Sequence, residues 1–248
     1  GTSGRYEFRN KGIDIFLDAL KQLAETDALD REVLVYITVP SATTGPRKDL
    51  QAHLADENSP IDPKQNRFCT HYLEHPEWDQ ILNSIAGSVL ANPSSKVKVV
   101  FVPTYLNGRD GIFDKSYYEL LVGMDMTLFP SYYEPWGYTP LESTAFSVPT
   151  LTTTLAGFGL WAGSQGEHEG VTLVARNDDN YAEAAREIAK ALLHFTKYTP
   201  QEVEIARNAA AELSRTALWS ELYAAYEKAY SEAIERSVTR TNLSLIHI

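Results

Sequence analysis

Four charged residues stand where their types and spacing could do chemistry. Arg5 and Lys11 lie six apart in RYEFRNKG, and Glu134 and Glu142 lie eight apart in YYEPWGYTPLE. Arginine gives phosphate a two-pronged contact and lysine a mobile point charge, so this pair suits the diphosphate of a departing nucleotide. Carboxylates accept hydrogen bonds and so suit sugar hydroxyls. Between the glutamates, Gly137, Tyr138 and Thr139 run up to a helix start, where free backbone N–H groups would form an anion site. Each feature also has a plainer reading. Thr139 as N-cap, Pro140 at the first helical position and Glu142 at the third would make a capping box that starts a helix without any ligand. Arg5 and Lys11 could be solvated surface charges, and a Glu-x7-Glu pair by itself is weak.

These residues must be held by something larger. The chain has 248 residues, enough for one large domain with a buried core. Its net charge of −11 argues against a broad nucleic-acid footprint but leaves room for a phosphate held by a few placed cations. The single cysteine, Cys69, excludes an internal disulfide and fits a reducing, cytoplasmic setting. No apolar run reaches membrane-spanning length. HYLEH, residues 71–75, matches a zinc-protease pattern, but Pro76 pushes His75 out of the helical region, so no metal is expected. GFG at 157–159 lacks the third glycine of a dinucleotide fingerprint.

Helical spacing of Ile13, Phe16, Leu17, Leu20 and Leu23 predicts an amphipathic helix after NKG. VLVYITVP reads as a strand buried on both faces, and KVKVVFVP, MTLFPS, VPTLTTT and GVTLVA as further strands. Helices are expected near 47–56, over 76–91, at SYYELLVG and TPLESTAFS, and over 178–196, 201–213 and 217–237. Tyr223, Tyr226 and Tyr230 are expected to pack that last helix. The alternation predicts an α/β fold: a Rossmann-like, doubly wound, mostly parallel sheet followed by C-terminal helices. In such sheets ligands sit beyond the carboxyl ends of the strands, where Gly4–Arg5, Val39–Pro40, Val102–Pro103 and 130–135 all fall. The expected organisation is a nucleotide-sugar-binding domain over 1–198, helices over 199–240 and a non-native tail over 241–248. LSLIHI, the last six residues, resembles the translation of a transposon-end sequencing adapter, and GTSGRYEF reads as a strand already under way.

Three stretches together, GRYEFRNKGIDIFLDAL, FPSYYEPWGYTPLE and TTLAGFG, closely resemble the glycogen synthase family of animal and fungal type. That family consists of retaining glycosyltransferases of GT-B architecture, and the match covers its C-terminal half. EPWGYTP sides with the members that use UDP-glucose. The resemblance implies that Arg5 and Lys11 hold the UDP phosphates, with Glu134 beside the transferred glucose and Glu142 on the ribose. It implies that the backbone of Gly137, Tyr138 and Thr139 contacts the distal phosphate and that Tyr117 stacks on the uracil. It implies no cofactor, an α-glucan acceptor bound through the N-terminal half, and no nucleic-acid or membrane partner, and it leaves homo-oligomerisation open. One departure stands out. The family's glucose 6-phosphate helix is rich in arginine, whereas RNAAAELSRTALW has Ala209 and Glu212 at two of those positions and keeps Arg207 and Arg215. Loss of that activation is expected. The rival readings are a nucleotide-sugar-binding module without turnover and a GT-B transferase with another acceptor.

Overall fold

The computed structural model describes residues 1–245, and Ile246, His247 and Ile248 of the expected tail lie outside that range. In chain order the elements are β1 (Thr2–Ser3), α1 (Ile13–Glu25), β2 (Val33–Thr38), β3 (Thr43–Pro46), α2 (Lys48–Ala55), β4 (His71–Leu73) and α3 (Gln80–Ile85). There follow β5 (Val97–Phe101), α4 (Tyr117–Leu121), β6 (Thr127–Phe129), α5 (Tyr138–Ala145), β7 (Thr150–Thr153) and α6 (Gly157–Ser164). The chain ends with β8 (Val171–Val174), α7 (Tyr181–Phe195), α8 (Pro200–Arg215) and α9 (Trp219–Leu245).

Two parallel triplets, β1-β2-β5 and β6-β7-β8, are joined through Gly1. Its amino group donates to the Met126 carbonyl and its own carbonyl accepts from Leu128 N–H, both at 2.8 Å. The continuous order is β5-β2-β1-β6-β7-β8. This is the doubly wound order in which the winding reverses between the first strand and the fourth parallel one. Strands β2 and β5 pair in register, Val35↔Val99 and Ile37↔Phe101, but the expected burial of β2 on both faces is not met: Val35 and Ile37 are buried while Leu34 on the other face is 55% exposed. The predicted helical face of α1 is buried in full, with Ile13, Phe16, Leu17, Leu20 and Leu23 each no more than 2% exposed.

Several expectations change. The helix expected over 76–91 is broken into a 3₁₀ turn at Pro76–Trp78, α3, and a second 3₁₀ turn at Val89–Ala91. Asp79 and Ser88 are the reason: each side chain accepts a backbone N–H, from Leu82 and Leu90, and so starts a new segment. Around α2 the polar stretch also forms an antiparallel pair, β3 with β4. Helix α6 falls in GFGLWAGS, where continuous small and apolar residues leave no periodic signal. The last helix runs to Leu245, and Tyr223, Tyr226 and Tyr230 are exposed rather than packed.

Candidate functional site

HYLEH does not form a helix. His71 begins a strand, its ring nitrogens 2.9 Å from Thr70 Oγ1 and from the Asp110 carbonyl, while His75 stacks on Trp78. Among the described residues no cluster of metal-ligating side chains occurs.

The rim where the winding reverses is different. The β1–α1 turn, residues 4–12, and the β6–α5 loop, residues 130–137, face each other across it, and the backbone welds them together. Tyr132 N–H donates to the Asn10 carbonyl at 2.9 Å. Next along the turn, Lys11 Nζ donates to Glu134 Oε2, an ion pair whose side chains are only 18% and 22% exposed. Thus residues 123 positions apart meet at the sheet's reversal. At this depth the pair is less screened than surface ion pairs.

Gly12 makes the approach possible. It caps α1 with a left-handed backbone, φ +70°, and a Cβ there would lie 1.9 Å from the Pro130 carbonyl oxygen. The facing loop is held from its other side as well. Thr153 Oγ1 donates to Ser131 O at 2.7 Å, Gly157 N–H to Glu134 O at 3.0 Å and Phe158 N–H to Trp136 O at 2.7 Å. The Trp136 ring packs against Phe158 and Trp161, with centroids 6.1 and 5.6 Å away. These hydrogen bonds and the packing of Trp136 fix the loop that carries Glu134.

Helix α5 starts two residues earlier than the capping box required. Its N-cap is Gly137, at φ +113° and with no side-chain cap, so Thr139 is not the cap. Glu142 falls in the second turn, its carboxylate beside the Tyr118 hydroxyl, which it raises in pKa. The shift has a physical cause: left-handed glycine lets the chain enter the helix directly. It leaves the N–H groups of the first turn without a capping side chain. Tyr117 donates to or accepts from Ser3 Oγ at 2.8 Å, and burial pushes its phenol up to about 12. Tyr118, missed in the sequence, stacks on Phe146 at 5.0 Å. Arg5 lies at the β1 exit but is 77% exposed and turned to Glu7, 3.1 Å away. The structure thus pairs Lys11 with Glu134, groups Tyr117 and Tyr118 with Glu142, and leaves Arg5 at the edge.

The glycogen synthase family model matches residues 51–244. This chain belongs to the glycogen synthase family. It is 28% identical to glycogen [starch] synthase of Neurospora crassa over 293 positions, covering 95% of this chain and 42% of that protein. It is likewise 28% identical to the human liver glycogen [starch] synthase, covering 95% of this chain and 41% of the relative. Both alignments are longer than this chain's 248 residues, so these glycogen synthases carry segments that it lacks. The chain spans about two fifths of their length. In fold it is similar to a glycosyltransferase from Rickettsia africae ESF-5, with a TM-score of 0.52 at 16% identity, covering 94% of this chain and 47% of that one. The expected doubly wound fold is present, and among the described residues no helix is long and apolar enough to cross a membrane.

Proposed function

We propose that the chain is the nucleotide-sugar-binding half of a UDP-glucose-dependent glycogen synthase that extends an α-1,4-glucan with retention. The observation that carries this reading is the meeting of Lys11 with Glu134 at the sheet's reversal, in a chain of the glycogen synthase family. Lys11 and Glu134 neutralise each other in this structure. A diphosphate and a sugar brought to the rim would each take one partner. Lys11, Arg5 and the uncapped amides of Gly137, Tyr138 and Thr139 then absorb the charge that grows on the UDP leaving group, which is electrostatic catalysis. Glu134 orients the glucose through its hydroxyls and faces the anomeric carbon. Glu142 holds the ribose, and Tyr117, with Tyr118 beside it, supplies the aromatic wall for the uracil. Arg5 must leave Glu7 to take part, and its exposure leaves its torsions free to do so.

By itself the chain binds and does not transfer, because the acceptor surface belongs to the remaining three fifths of a family-length protein. The protein acts in the cytoplasm on a soluble donor. Calorimetric titration of the chain with UDP, ADP and UDP-glucose tests the binding. UDP is expected to bind more tightly than ADP, and Arg5→Ala to weaken UDP about tenfold, the order of one charge-assisted phosphate contact. Equal indifference to all three ligands would refute the reading.

Regulation differs from that of the arginine-rich relatives. Arg207 is already committed, donating to the Met124 carbonyl at 2.7 Å and to Ser147 at 3.2 Å, which leaves Arg215 alone on α8. One cation against net acidity does not hold a sugar phosphate. Transfer by a family-length protein containing this chain is therefore expected to change less than twofold on adding glucose 6-phosphate. A large rise in rate would contradict this.

A further inference from the structure

We propose that Arg176 is the positioning residue that sets Lys11 against Glu134, a proposal that rests on the nucleotide-sugar reading of that pair. Arg176 follows β8, two strands away from β6 in the sheet. Its main chain is pinned at the β7 exit, where Thr154 Oγ1 accepts from Arg176 N–H at 3.0 Å and donates to its carbonyl at 3.2 Å. From there the side chain reaches back across the strand exits and donates through Nη1 to the Pro130 carbonyl.

That carbonyl is where three segments meet. It ends β6, it lies under Gly12, and it accepts from Arg176, whose Nη1 would be 3.0 Å from a Cβ placed on Gly12. Arg176 is only 5% exposed, with the Tyr132 ring centroid 5.3 Å and the Tyr181 centroid 6.0 Å from its guanidinium carbon. Tyr132 in turn donates its N–H to Asn10, the neighbour of Lys11, and its hydroxyl to Asp178. Tyr181 anchors on α1 through Asp18 at 2.8 Å. Arg176 thus holds both walls of the site: the turn that carries Lys11 through Tyr132 and Asn10, and the loop that carries Glu134 through Pro130. It also offsets the burial of Asp14 in the first turn of α1. Arginine suits the place because one nitrogen donates to the carbonyl while the delocalised charge sits near two rings. Lysine is a point charge on a flexible stem and does both at once less well.

The proposal predicts an effect on distant segments that a purely stabilising residue would lack. Arg176→Met, Arg176→Lys and a core control, Leu192→Ala in α7, are compared by hydrogen exchange and by calorimetric titration with UDP and UDP-glucose. Arg176→Met should speed exchange in both 4–12 and 130–137 and weaken UDP-glucose tenfold or more. Arg176→Lys should recover part of this, to about a threefold loss. Leu192→Ala should lower the unfolding temperature while leaving both segments and the affinity unchanged. If Arg176→Met matches Leu192→Ala in exchange, or if Arg176→Lys is indistinguishable from wild type, the assignment is wrong. Should Arg176→Met fail to fold, the lysine variant decides alone. Should wild type bind neither ligand, the nucleotide-sugar reading fails, and the exchange data still decide whether Arg176 couples the two walls.

Discussion

Glucosyl transfer by a family-length protein containing this chain is expected to fall about 10²–10³-fold when Lys11 becomes alanine. Lys11 is paired with Glu134 at the reversal of the sheet in a partly dehydrated position, while Arg5 remains largely in solvent. Charge on a departing diphosphate is felt most strongly by a group already fixed and shielded from water. The same substitution leaves Glu134 without its partner, and stability should drop by about 1–2 kcal/mol, between the values typical of exposed and buried pairs. Pairing Lys11→Ala with Glu134→Gln separates the two effects. The double variant should recover most of the stability in urea unfolding and none of the rate. Transfer by Lys11→Ala within threefold of wild type, measured as kcat/KM for UDP-glucose, would show that Lys11 is only structural.

Gly12→Ala should be the most damaging single methyl group in the chain. At 1.9 Å from the Pro130 oxygen the new Cβ forces the turn and the loop apart, and the left-handed backbone adds strain. A loss of about 3–5 kcal/mol is expected, in the range of severe core defects. Gly108→Ala is the control, since Gly108 is also left-handed, φ +84°, but has open space where a Cβ would go. It should lose only about 1–2 kcal/mol from backbone strain. Equal shifts of the urea midpoint at both positions would mean that the close approach at Gly12 does not exist. In whatever fraction of Gly12→Ala folds, UDP binding should be lost as well, because Lys11 and Glu134 move with the two walls.

The sheet was legible from sequence because its strands are short continuous apolar runs and its helices have a clear period. Ile13 to Leu23 shows this best, and every predicted face position of α1 is buried. The segment 76–91 misled because apolar spacing continued across Asp79 and Ser88, whose side chains cap new turns. Thr139-Pro140-Leu141-Glu142 has the composition of a helix start, yet Gly137 begins the helix earlier through a backbone angle that composition does not record. The strand-exit rule and the family likeness bring the segments of Lys11 and Glu134 to one rim, but neither pairs the two side chains directly, since nothing local links positions 123 apart. Arg176 left no trace at all. A lone arginine after a strand has the same appearance whether it faces water or reaches back across the strand exits to a carbonyl.

Helix α9 has a practical consequence. From Trp219 to Arg240 only Leu222 is other than exposed, so over this span the helix rests on its own backbone hydrogen bonds. Rods of this kind fray and reform on their own schedule, long before the sheet opens. Brief trypsin treatment should clip at Lys228, Arg236 and Arg240 and leave the remainder intact, so that a trimmed form ending at Lys228 becomes the better object for crystallisation.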